Sequence, residues 1–175
     1  MKKKIYFAGS IRGGHDFADL YRKMIEHMQM KDIVLTEHIG QAGLNLKEKG
    51  RTSDAEIYNQ DTAWLQESDM VVAECSNPSL GVGYELAYAE SRGIPCHIFY
   101  DKSKTQLSAM LTGNPYFDIY PYQTEEELFS LLDKYYHRSF KIPIISCLKF
   151  SGFSTNKQSF FRITKQSNHK PKCSN

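Results

Sequence analysis

The sequence predicts an α/β fold: a doubly wound, five-stranded parallel sheet flanked by helices, Rossmann-like in its layering. Two observations predict it. Short apolar runs alternate with amphipathic stretches through residues 5–136, joined by short links, which is the β-α-β-α rhythm of a parallel sheet covered on both faces. Two glycine-rich turns, Gly9–Gly14 and Gly81–Gly83, each follow an apolar run and lead into a helical pattern, as at the carboxyl edge of such a sheet.

Ile5-Tyr6-Phe7-Ala8 reads as the first, buried strand; it is too short for a signal-peptide core and breaks at Gly9. Phe17, Leu20, Tyr21, Met24, Ile25 and Met28 recur at three- and four-residue steps and form one face of a helix. Ile33-Val34-Leu35-Thr36 is the second strand. The polar stretch Gly40–Ser53 is a loop that could cover a site. Ser53 and Asp54 can cap a helix running to about Glu67. Met70–Glu74 is the third strand, and a helix over roughly Gly81–Ser91 ends at Gly93-Ile94-Pro95 before the strand Cys96–Tyr100. Phe117–Tyr122 is the fifth strand, followed by a helix from Glu125 to Tyr136 that Thr124 can cap. Ligands of such sheets bind beyond the carboxyl ends of the strands, so function is expected just after Ala8, Thr36, Glu74 and Tyr100.

At 175 residues, 41% hydrophobic and 24% charged, the chain has the composition of one soluble globular domain. No apolar run approaches the roughly 20 residues that span a bilayer, so no membrane role is expected. Cys75, Cys96, Cys147 and Cys173 show no C-x-x-C spacing, and His38 and His97 stand apart from any ligand-like cluster. That argues against zinc and for reduced thiols, hence a cytoplasmic and potentially also nuclear protein with no metal or cofactor. Charge is uneven: residues 1–138 hold 15 Lys+Arg and 20 Asp+Glu, whereas 139–175 hold 7 Lys+Arg and no acid. The expected organisation is a catalytic domain over 1–138 and a basic, disordered tail over 139–175. Dispersed lysines make the tail a solvated terminus, with no nucleic acid expected as partner.

Gly9-Ser10-Ile11-Arg12-Gly13-Gly14 follows the first strand and precedes a helix. Glycines let the backbone approach a ligand closely, a helix start offers N–H groups to an anion, and Arg12 is a charged fork suited to phosphate. The pattern is neither a Walker loop nor G-x-G-x-x-G, so it indicates a small phosphate rather than a triphosphate or dinucleotide; the alternative is a turn with no ligand. Asn77–Leu86 is a second glycine-rich start to a helix. Glu85 is read near its first turn, where the helix dipole favours an ionised carboxylate able to act as nucleophile; alone, it could equally be an acid that suits the helix. Asp61 lies between Ile57, Tyr58 and Leu65 on the stripe read as inward, where a carboxylate is costly unless paired or used. Two carboxylates beside a phosphate turn point to acid-plus-nucleophile chemistry on a glycosidic bond. Tyr6 could orient Glu85, but from spacing alone it reads as core.

Six blocks in this order carry a resemblance: Tyr6–Gly14, Val34–His38, Gln60-Asp61 with Trp64-Leu65-Gln66, Val71–Glu74, Pro78–Leu86 and Leu107–Met110. Together they resemble the nucleoside 2-deoxyribosyltransferase family, in particular its 2′-deoxynucleoside 5′-phosphate N-hydrolase branch, over about residues 4–137. The resemblance implies that Glu85 attacks C1′ to form a sugar ester, that Asp61 assists base departure and that Tyr6 positions the nucleophile. It implies further that Gly9, Ser10, Ile11, Arg12, Gly13, Gly14, Ser79 and Gly81 surround the nucleotide and that His38 lines the pocket. Ser108 and Met110 would complete the site of a neighbouring subunit, making a homodimer acting on a small deoxynucleotide. A deoxyribosyltransferase that moves the sugar between bases is the nearest competing reading; a non-catalytic nucleotide sensor is the other. Base preference is not legible.

Overall fold

A computed structural model of the chain describes residues 1–10, 17–36 and 53–135. The elements are β1 (Lys4–Gly9), α1 (Ala18–Gln29), β2 (Ile33–Val34), α2 (Asp54–Glu67), β3 (Met70–Glu74), α3 (Leu80–Ser91), β4 (Cys96–Asp101), α4 (Ala109–Thr112), β5 (Asp118–Tyr122) and α5 (Glu125–Tyr135). The strands form one parallel sheet in the order β2-β1-β3-β4-β5. The predicted fold class holds. Chain direction across the sheet reverses between β1 and β3, and the Gly9 and Glu74 Cα atoms are register partners at that switch point.

Strand alternation sorts the core into two layers. Ile5, Phe7 and Val72 face α1 and α5, packing with Tyr21, Met24, Met28, Leu128 and Leu132. Tyr6, Ala8, Val71 and Ala73 face the other way, toward Leu65 of α2 and Val82, Leu86 and Ala89 of α3. The predicted stripe of α1 is the buried one. Ser53 caps α2 in a reciprocal box with Glu56, and Gly93, at φ +72°, takes the left-handed turn after α3.

Two expectations need correction. The second strand was expected to run to Thr36, but β2 ends at Val34. The Thr36 side chain replaces the ladder: its Oγ1 accepts from the Phe7 N–H at 2.8 Å and donates to the Phe7 carbonyl at 2.7 Å. The link between β4 and β5, to which no helix was assigned, holds the short helix α4. Among the described residues no helix is long and apolar enough to cross a membrane. The expected loop 40–52 and the basic tail lie outside the described residues.

Candidate active site

The centre of the site is set by the β1 alternation. Tyr6 points into the α2–α3 layer, and its hydroxyl donates to Glu85 Oε1 at 3.0 Å across 79 residues of sequence. Tyr6 is therefore both core, 1% exposed, and partner of the carboxylate, so the reading from spacing captured only half of its role. Glu85 is half-buried on α3. It lies in the second turn of that helix, not the first as expected, because α3 begins at Leu80.

The expected electrostatics of Glu85 also change. Beyond the first turn the helix dipole loses most of its effect. Burial instead pushes the Glu85 carboxyl up to about 7, the Tyr6 hydrogen bond pulls it down, and the negative charge of Asp61 pushes it up again. Glu85 is thus poised between acid and anion near neutrality rather than held fully ionised. Asp61 is half-buried on α2, four residues from buried Leu65 and from half-buried Ile57. Tyr58, expected on the same inward stripe, is exposed instead and packs against exposed Tyr84. The structure thus brings Tyr6, Glu85 and Asp61 together in one layer at the carboxyl edge of the sheet.

Gly9 and Ser10 end β1 at the same edge. A Cβ on Gly9 would lie 3.0 Å from the Tyr21 ring and 3.2 Å from that of Phe7, so glycine here allows Tyr21 to close beneath the turn. Ser10 is only 4% exposed, and its N–H donates to the Tyr21 hydroxyl at 3.3 Å. Ile11, Arg12, Gly13, Gly14 and His38 lie outside the described residues. Ser79 is the N-cap of α3, its hydroxyl accepting from the Val82 N–H, and Gly81 is exposed in the first turn. A groove of about 510 Å³ runs along another face of α3. Ser79, Leu80, Leu86, Leu107, Ser108 and Met110 are among its walls, whereas Tyr6, Asp61 and Glu85 are not. Among the groove's walls, therefore, Ser108 and Met110 are not accompanied by Glu85 of the same chain. Leu80 and Met110 are 97% and 80% exposed on its rim.

Sequence reasoning missed one group. Glu74, on the opposite face of the sheet from Glu85, is fully buried and accepts from the Ser76 N–H and hydroxyl and from the Tyr122 hydroxyl. An acid closing an otherwise apolar strand, Met70–Ala73, was the available signal.

Comparison with known proteins identifies the family. A 5-hydroxymethyl-dUMP N-hydrolase of Homo sapiens is 42% identical over 138 residues, covering 75% of this chain and 78% of its own. A Syntrophotalea carbinolica protein provisionally named 2′-deoxynucleoside 5′-phosphate N-hydrolase 1 is 40% identical over 130 residues, covering 74% and 91%. Among solved structures, Clostridium botulinum CMP N-glycosidase shares the fold, with a TM-score of 0.56 at 17% identity over 76% of this chain and 99% of that one. The sequence profile for nucleoside 2-deoxyribosyltransferase matches residues 5–143, a span that runs from Ile5 of β1 through α5 and includes every described site residue. By that match and those identities, the chain belongs to the nucleoside 2-deoxyribosyltransferase family.

Proposed function

We propose that the protein is an N-glycosidase that hydrolyses 2′-deoxynucleoside 5′-monophosphates to free base and 2-deoxyribose 5-phosphate. The observation that carries this is the Tyr6–Glu85 hydrogen bond at 3.0 Å in a layer that also holds Asp61. The relatives named as N-hydrolases of deoxynucleotides support the substrate class.

In this reading Glu85, once ionised, attacks C1′ while the C1′–N bond breaks and the base leaves with the electron pair, taking a proton from Asp61. Water then attacks C1′ of the glutamyl ester and gives its proton to Asp61. The C1′–O bond to Glu85 breaks, and the carboxylate is regenerated. Tyr6 steadies the anionic nucleophile. Arg12, with Ser10, Ser79 and a partner copy's Ser108, would hold the 5′-phosphate. A second copy of the chain would cover the groove, since exposed Leu80 and Met110 flank it and a symmetric partner is the usual cover for such a face.

Incubation with deoxynucleotides (5-hydroxymethyl-dUMP among them), the matching ribonucleotides and free deoxynucleosides, followed by chromatography for free base, tests this. Deoxynucleotides should release base and ribonucleotides scarcely react, because a 2′-hydroxyl withdraws electron density from the developing cation. Glu85→Gln should turn over at below about one-thousandth of the wild-type rate. A better rate on free deoxynucleosides, with sugar passed to an added base, would establish the transferase instead.

A further inference from the structure

The helix that carries Asp61 is lightly held by the core. Of the 14 residues of α2 only Leu65 is buried, with Ile57, Asp61, Thr62 and Trp64 half-buried, whereas α3 sinks Val82, Leu86 and Ala89. Polar side chains join the two helices along their solvent side. The Tyr84 hydroxyl donates to the Tyr58 hydroxyl at 3.4 Å, with the two rings 6.2 Å apart. One turn further along α3, the Tyr88 hydroxyl accepts from Gln66 Nε2 at 2.6 Å. The Tyr84 and Tyr88 ring centroids are 6.4 Å apart, and the Arg92 guanidinium lies 5.2 Å from the centre of the Tyr88 ring. These contacts make a closed circuit from Tyr58 on α2, through Tyr84 and Tyr88 on α3, and back to Gln66 on α2. Asp61 stands in sequence between the two α2 members of the circuit, and Glu85 between the two α3 members.

We propose that Tyr58, Gln66, Tyr84 and Tyr88 are positioning residues: they set α2 against α3 and so hold Asp61 where it can protonate the leaving base, without touching the reacting atoms. The proposal rests on the reading above that Glu85 attacks C1′ while Asp61 gives the base its proton. That chemistry needs two carboxyl groups on different helices to meet one nucleotide at once, and a displacement of about 1 Å can cost about a hundredfold in rate. Apolar contacts tolerate sliding of one helix along another, whereas a hydrogen bond weakens steeply with distance and angle. Directional contacts that flank Asp61 and Glu85 therefore fix a register that the one buried leucine of α2 does not.

The test measures kcat/KM, which reads the step in which the base leaves, on dUMP carrying hydrogen, fluorine or nitro at the 5-position of the base. The more the group withdraws electrons, the better the base departs as an anion and the less it needs a proton. Tyr88→Phe and Gln66→Met each remove one half of the 2.6 Å bond while keeping the shape of the side chain. Each should lose about tenfold on the unsubstituted substrate and no more than about threefold on the nitro compound, because only the former depends on a well-placed acid. The double variant should be no worse than either single one by more than about twofold, since both remove the same contact. Tyr58→Ala, which breaks the other tie, should show the same dependence on the leaving group, and Asp61→Asn should show it more steeply. A loss equal across the three substrates, no loss in the folded variants, losses that multiply in the double variant, or failure of Gln66→Met to fold would each reduce the circuit to scaffold and overturn the proposal. If Asp61→Asn itself loses equally on all three, the proton-donor reading is what fails, and the circuit's role goes with it.

Discussion

Two carboxylates at one sheet edge, Glu85 and Glu74, differ in surroundings because strand parity sends their partners to opposite faces. Glu85 meets a hydroxyl and another acid in a half-open layer; Glu74 meets two hydroxyls and a backbone N–H in a closed one. The first arrangement gives a titration useful near neutrality, with the Glu85 carboxyl pushed up to about 7. Attack requires Glu85 ionised and Asp61 still carrying the proton for the leaving base, so kcat/KM should rise with pH through that region and fall again where Asp61 loses that proton. The sign of each neighbour is testable. Tyr6→Phe removes the bond that favours the anion and should move the rising limb to higher pH. Asp61→Asn removes the charge that opposes the anion and should move the residual limb lower. A limb that stays fixed in both variants would mean that another group controls the profile. Asp61 and Glu85 stood out in the sequence because acids are costly among apolar neighbours. The Tyr6 contact followed from the family resemblance and not from spacing, because a hydrogen bond spanning 79 residues has no local signature.

At the scale of elements, the long periodic segments were read closely: α2 and β3 have the expected bounds, and α1 the expected face. The short ones were not. α4 has four residues, too few for a period, and β2 is cut short because a side chain takes over from the backbone. Thr36 is fully buried and satisfies both the N–H and the carbonyl of Phe7, one residue from Tyr6. Thr36→Val keeps the shape but orphans two buried backbone groups, so it should destabilise the fold by about 1–3 kcal/mol. Thermal denaturation would read this as a fall of several degrees. An unchanged midpoint would show that the strand edge closes without the hydroxyl.

For the whole molecule, the doubly wound topology places the Tyr6–Glu85 pair and the groove on different faces of one helix, α3. A single chain therefore lines the groove with Ser108 and Met110 but not with its own Glu85, while leaving two large apolar side chains of the groove exposed. Both facts are met at once if a second copy docks along the groove and each chain supplies Ser108 to the other's phosphate. Subunit mixing separates this from a self-contained site. Glu85→Ala loses the nucleophile, and Ser108→Trp blocks the contributed wall; each should be nearly inactive alone. Mixed in equal amounts with random exchange, half of the dimers are hybrid, and each hybrid holds one site built from an intact Glu85 and an intact Ser108. Activity should return to about a quarter of wild type. If exchange is demonstrated, for example by differently tagged subunits, and no activity returns, each chain carries its own complete site and Ser108 has no role across the interface.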